Sequence, residues 1–336
     1  MDLYTSISND ELSICVKEKI KSARTTLLIL CPLLALLLGG LGAWVYMNWW
    51  NPSVAFQRLV VAEKFRALDR SKDFEERVLV VGGSSVSFSI QPELLKEEFG
   101  LDVVNLGLPA GAGRGLHCEW ALQEMREGDF IVLAFESTGW TSGEENLVTP
   151  LGSQFWYLTM KSRYDKSMLE NISSSERYQW KDLRPGGEHI FTLAAKIAFK
   201  QPLYRYNKNF IRKGGYLVGP ENWDIKPSSS VVELELAPMQ RDLLVSMKKL
   251  VEAKGAHLVI SIPWILTKDE NLPEQRRQVQ ELISELEVFA PVLVDPMQGS
   301  CGEIDWFADT RWHLTEEGAR ERSRAFGKGL LSLDIR

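Results

Sequence analysis

The stretch Arg77-Val78-Leu79-Val80-Val81-Gly82-Gly83-Ser84-Ser85 decides the fold. A continuous run of apolar, mostly β-branched residues closed by turn residues reads as a buried parallel strand. The two glycines let the chain turn sharply at the strand's carboxyl end. That is where open α/β sheets bind ligands, so Ser84 is a candidate nucleophile. Ser85, its neighbour, is the alternative.

Around this strand the pattern alternates. Strands are expected at 78–81, 102–106, 130–135, 257–262 and 292–295. Helices are expected at 92–99, 114–126, 238–253, 273–289 and 315–331, several opening with Pro or acidic residues. Strands alternating with helices predict an α/β fold with a five-stranded parallel sheet between helical layers. The alternation stops between Glu144 and Val231, which is rich in aromatics (Phe155, Trp156, Tyr178, Trp180, Tyr204, Tyr206, Trp223 among them). It reads as an insertion covering the carboxyl edge of the sheet, since long loops in compact domains are usually functional. Packing of the insertion's own small core is the plainer use for its aromatics.

The composition is that of a folded protein, with 45% hydrophobic and 25% charged residues. A net charge of −6 without a Lys/Arg-rich run argues against a nucleic-acid partner. The four cysteines, Cys15, Cys31, Cys118 and Cys301, include no CxxC pair, so no metal site is expected. Cys118 and Cys301 are the pair able to form a disulfide outside the apolar segment. No charged residue occurs from Thr25 to Met47. That stretch is long enough to span a bilayer and longer than a signal-peptide core, and Trp44, Tyr46, Trp49 and Trp50 cluster at its far end as an aromatic belt. An uncleaved anchor is expected. Lys17, Lys19, Lys21 and Arg24 before it outweigh the more distant Arg58, Lys64 and Arg66 after it. The head thus faces the cytoplasm and the body the periplasm or exterior. The expected organisation is a head at 1–24, a transmembrane helix at 25–47, an amphipathic connector at 48–76 and the α/β domain at 77–336, with its insertion at 144–231.

A serine hydroxyl needs a base to take its proton. Of the four histidines, His257 begins a strand, His117 sits in a helix and His189 lies in the insertion. His313 stands just before the last helix, in Asp309-Thr310-Arg311-Trp312-His313-Leu314, and Asp309 is close enough in the chain to fix its tautomer. Ser84, His313 and Asp309 therefore form a candidate catalytic triad. A phosphate-binding nest at Gly82–Ser85 is the competing use of that turn, but no Lys or second phosphate loop follows it.

Gly82-Gly83-Ser84-Ser85 resembles the first motif of the SGNH (GDSL-like) hydrolase superfamily, Asn105-Leu106-Gly107-Leu108 its second, and Asp309 through Thr315 with Gly318 its last. The resemblance runs from Val78 to the carboxyl terminus, outside the insertion. It implies a flavodoxin-like three-layer sandwich and serine esterase or O-acyltransferase chemistry without a cofactor. It also implies a pocket involving Gly83, Ser85, Asn105, Gly107 and the residue at position 136. There the superfamily places an oxyanion-donating Asn, and this chain has Glu136, which cannot donate when ionised. The oxyanion would then rest on backbone N–H groups of Ser84 and the 107–111 loop. Membrane-anchored members resembling the D-alanyl-lipoteichoic-acid biosynthesis protein and the alginate O-acetylation proteins modify polymers of the bacterial cell envelope. They imply an acylated glycan or acyl donor as substrate and a membrane-bound O-acyltransferase as partner. A scaffold that keeps the fold without catalysis is the alternative that Glu136 motivates.

Overall fold

The computed structural model describes residues 9–45, 52–141, 147–164, 166–168, 178, 195, 197–199, 206–219, 225–228, 230–293 and 295–333. Helix α1 (Asn9–Val45) leads to α2 (Pro52–Arg70), β1 (Val78–Gly82), the one-turn α3 (Ser84–Ser87) and α4 (Pro92–Phe99). Then come β2 (Val103–Asn105), α5 (Arg114–Glu124), β3 (Phe130–Ala134), α6 (Ser137–Thr141) and α7 (Pro150–Phe155). After the insertion follow α8 (Pro238–Ala253), β4 (His257–Ser261), β5 (Ile265–Leu266), α9 (Leu272–Leu286), β6 (Val292–Leu293), β7 (Ser300–Cys301) and α10 (Glu316–Leu331).

Five strands pair in parallel in the order β2-β1-β3-β4-β6, and β5 pairs with β7 separately. The registers set Val80 against Asn105, Gly82 against Ala134 and Leu133 against Ile260. Alternate strand residues feed opposite faces. Leu79, Val81, Ile131, Leu133, Leu258 and Ile260 join Leu68 of α2, Trp120 of α5, Met247 of α8 and Leu282 of α9. Val78, Val80, Val132, Ala134 and Val259 join Leu95 of α4 and Phe326 and Leu330 of α10. The molecule is thus an α/β domain with a parallel sheet between two helical layers. The chain leaves β1 toward β2 on one side and returns to β3 on the other. The connections therefore diverge above β1 and β3, where such sheets open a ligand crevice. Ser84 and Glu136 stand at the two sides of that opening, just past the ends of β1 and β3.

Helix α1 contains a stretch, Lys19–Gly42, long and apolar enough to cross a membrane, and its leucines are exposed. At about 1.5 Å per residue its 24 residues cover the thickness of a hydrocarbon layer. Pro32 lies within the helix, as membrane helices tolerate. Of the expected aromatic belt, Tyr46, Trp49 and Trp50 lie outside the described residues.

Helix α2 packs as part of the domain. Val61 and Leu68 enter the main core, and Phe56 and Val60 enter a smaller cluster with Phe88 and Leu217. The insertion's aromatics do not build a core of their own where they are described. Phe155, Trp156 and Tyr178 are buried in the main core, while Trp180, Tyr204 and Trp223 lie outside the described residues. Cys118 and Cys301 are both buried and both free, so they do not form the disulfide their spacing permitted. The strand expected at 292–295 is β6, Val292–Leu293 among the described residues. Asp295 is drawn into a turn, its Oδ1 accepting from the N–H groups of Met297 and Gln298. On its other side it takes the buried guanidinium of Arg322 at 2.7 Å.

Candidate active site

Close packing surrounds the two glycines before Ser84. A Cβ on Gly82 would lie 2.1 Å from the Ala134 carbonyl oxygen, and one on Gly83 would lie 2.2 Å from Glu136 Oε1. Space requires the glycine at 82, where a Cβ meets backbone, whereas at 83 the nearest atoms are the end of the Glu136 side chain and the backbone angles are ordinary and extended (φ −71°). The chain then turns into α3, whose first residue is Ser84.

The loop before α10 brings its two polar residues together by closing on itself. Ala308 N–H donates to the His313 carbonyl at 2.8 Å, and the Thr310 hydroxyl accepts from the N–H groups of Trp312 and His313. Asp309 and His313 thus sit on one side of a tight loop. His313 Nδ1 lies 2.8 Å from Asp309 Oδ1, and His313 Nε2 lies 2.8 Å from Ser84 Oγ. A carboxylate only accepts, so Nδ1 carries the proton and Nε2 of the neutral ring is left to accept from the Ser84 hydroxyl. The imidazole is stacked on Phe88 with ring centroids 4.2 Å apart. The Asp309 side chain is 3% exposed. Burial pushes its carboxyl up, but hydrogen bonds from His313 and Tyr206, and the charge of His313 when that ring is protonated, outweigh burial and hold it below the ordinary carboxylate range.

Of the two serines, Ser84 faces the histidine and Ser85 does not. Ser85 donates through its hydroxyl to Glu136 Oε1 at 2.7 Å and through its N–H to the same oxygen at 3.3 Å. Glu136 is therefore an acceptor at the position where an oxyanion donor was sought, and its Oε2 has no hydrogen bond among the described residues. Asn105 does not turn toward the serine. Its Nδ2 donates to the carbonyls of Val86 and Ile90, and its Oδ1 accepts from the Gly107 N–H. It braces the loop beneath α3, so the expectation that it lines the pocket is corrected. The Gly107 N–H is spent on Asn105, and the Leu108 N–H is spent on the Gly82 carbonyl. Of the expected backbone donors, the N–H groups of Ser84, Ala110 and Gly111 stay uncommitted among the described residues.

The other histidines are elsewhere. His117 is fully buried, with neither ring nitrogen hydrogen-bonded among the described residues, and burial with the nearby Arg114 charge pushes it down to about 3. His257 stacks on Phe130, and His189 lies outside the described residues. Among those residues no cluster of His, Cys, Asp or Glu could hold a metal ion.

Three residues at the site were not singled out from the sequence. Phe88 floors the imidazole. Tyr206 reaches it from the insertion, its hydroxyl donating to Asp309 Oδ2 and lying 3.2 Å from His313 Nδ1. Lys64 of α2 is fully buried and donates to the carbonyl of Asn105 (2.9 Å), Asn105 Oδ1 (3.0 Å) and the carbonyl of Gly215 (2.7 Å). Burial, with no carboxylate partner among the described residues, pushes its ammonium down to about 7. The signal for Lys64 was in the sequence: Phe56, Val60, Lys64 and Leu68 recur every four residues, which puts the lysine on the buried stripe. Tyr206 sits in a stretch without periodicity, and nothing in the sequence distinguished it from the other aromatics there.

Comparison of the chain with protein-family models and with curated proteins finds no match.

Proposed function

We propose that the chain is a membrane-anchored serine esterase or O-acyltransferase of SGNH-like fold, acting on acyl esters of bacterial cell-envelope polysaccharide. The observation that carries the reading is the chain of contacts Ser84 Oγ–His313 Nε2–His313 Nδ1–Asp309 Oδ1, with both contacts at 2.8 Å. The sheet order, in which the first two strands are exchanged and the rest follow in sequence, is that of flavodoxin-like sheets and supports the fold assignment. Helix α1 supports single-pass anchoring, with the domain on the periplasmic or outer side.

In this reading His313 Nε2 takes the Ser84 proton as the hydroxyl oxygen attacks the acyl carbon. Asp309 holds the ring's tautomer and stabilises the imidazolium that forms. The imidazolium returns the proton to the leaving alcohol, and an acyl-serine remains. Water or a glycan hydroxyl, deprotonated by the same nitrogen, then takes the acyl group. The Ser84 N–H supplies one donor to the oxyanion. A membrane-bound O-acyltransferase would be the partner that supplies or receives the acyl group. The test is to offer the full chain in detergent a panel of acyl donors with glycan acceptors. Release or transfer of an acyl group that is abolished in Ser84→Ala supports the reading, and absence of both from well-folded protein rejects it.

One observation favours a second reading, a scaffold that binds a glycan or a membrane acyltransferase without catalysis. Glu136 accepts from Ser85 where the oxyanion needs a donor, and loss of one such donor costs about a hundredfold or more in rate. Stoichiometric glycan binding unchanged by Ser84→Ala, together with an inert wild type, selects it.

A further inference from the structure

We propose that Tyr206 is a positioning residue that fixes the Asp309 carboxylate and, through it, the His313 imidazole. The inference rests on reading Ser84, His313 and Asp309 as one catalytic unit. Asp309 is held at both oxygens: Oδ1 accepts from His313 and Oδ2 from the Tyr206 hydroxyl. A carboxylate bonded at one oxygen can still rotate about its last bond, whereas one bonded at both cannot without breaking a hydrogen bond. The imidazole it orients is already confined face-on by Phe88. The hydroxyl of Tyr206 is thus the contact that removes the remaining freedom of the pair.

Tyr206 is itself set by the elements that carry the other members. Its ring stacks on Phe56 of α2 with centroids 5.7 Å apart and lies 5.5 Å from Phe88. The segment 206–219 is fastened at three points. Leu217 N–H donates to the Ser87 carbonyl, in the turn that begins with Ser84, at 2.7 Å. The Gly215 carbonyl accepts from Lys64 of α2. Gly219 packs so closely on the histidine loop that a Cβ there would lie 2.5 Å from the Leu314 carbonyl oxygen. The segment 206–219 of the insertion therefore contributes a side chain to the site, and α2 is part of its support.

A purely packing role predicts that Phe serves as well as Tyr at 206; a positioning role needs the hydroxyl. The test is a double-mutant cycle on the full chain in detergent, read as the second-order rate of labelling by a fluorophosphonate. Tyr206→Phe is expected to slow labelling about tenfold, the scale of one lost hydrogen bond to a charged group. In an Asp309→Asn background it is expected to add no further slowing, because it acts through Asp309. A wild-type rate for Tyr206→Phe, or the same factor in both backgrounds, overturns the proposal. A second readout needs no reactivity and so separates this proposal from the proposed function. With the four histidines ¹⁵N-labelled, the His313 Nδ1 resonance should move in Tyr206→Phe and not move further when Tyr206→Phe is added to Asp309→Asn. An unmoved resonance refutes the positioning role even if wild type is inert toward the probe.

Discussion

Replacing Lys64 with Met keeps the length of the side chain and removes its ammonium. The Gly215 carbonyl then loses the only donor it has among the described residues, and Asn105 loses two contacts while keeping the Gly107 N–H on its side-chain oxygen. An orphaned buried acceptor costs about 1–3 kcal/mol. Loss of the buried charge offsets this cost most at pH 7 and below, where the folded amine still carries its proton. The cost should therefore grow with pH, by about 2 kcal/mol between pH 7 and pH 9, which for a domain of this size is roughly 4–8 °C in melting temperature. The unfolded lysine keeps its proton up to its ordinary value of 10.5, whereas in the folded chain burial moves the loss of that proton to about 7. Above pH 7 the unfolded state therefore binds more protons, and wild-type stability rises with pH, by at most about 1.4 kcal/mol per unit, until the unfolded lysine also titrates. Lys64→Met removes that slope. Thermal unfolding of both proteins at pH 7 and pH 9 reads the change. A wild-type advantage that stays level or shrinks from pH 7 to pH 9 would refute the reasoning.

Two further perturbations test the support of the site. Arg322→Met takes from the Asp295 carboxylate, 4% exposed, the guanidinium held against it at 2.7 Å, its one cation among the described residues, while the N–H groups of Trp264, Met297 and Gln298 still donate to it. A loss of about 3–5 kcal/mol is expected, with partial recovery when Asp295→Asn is added; a melting temperature within a degree of wild type would count against a structural pair here. Gly82→Ala and Gly83→Ala should differ. The first drives a methyl group into the Ala134 carbonyl oxygen and costs about 1–3 kcal/mol. The second meets only the Glu136 carboxylate, a flexible end that can swing away. Denaturation that ranks the two variants equally would contradict the packing described at this turn.

The alternation of apolar runs with amphipathic segments made the parallel sheet legible, because a strand buried on both faces cannot disguise its composition. The same logic exposed Ser84, since a serine after Val81-Gly82-Gly83 has one place to be. His313 and Asp309 were legible through their spacing from one another and their position before α10. What the sequence concealed depends on contacts distant in the chain. Glu136 meets Ser85 across 51 residues, and Tyr206 meets Asp309 across 103; no local pattern encodes either. Asn105 was misplaced because its motif indicates a pocket residue, while its side chain is consumed by the carbonyls of Val86 and Ile90. The pairing of β5 with β7 was invisible because two-residue strands have no periodicity to detect. Helix α2 read correctly as amphipathic, but only the structure places its Lys64 beneath the loop that follows β2.

The measurement that bears most directly on the central claim is labelling of the full chain in detergent by a fluorophosphonate serine probe. Wild type is compared with Ser84→Ala, Ser85→Ala and His313→Ala. Ser84 Oγ lies 2.8 Å from His313 Nε2, while Ser85 is turned to Glu136. Wild type and Ser85→Ala should therefore label, and Ser84→Ala and His313→Ala should not. A well-folded wild type that takes up no probe, or one whose label survives Ser84→Ala, would contradict an activated serine at this site.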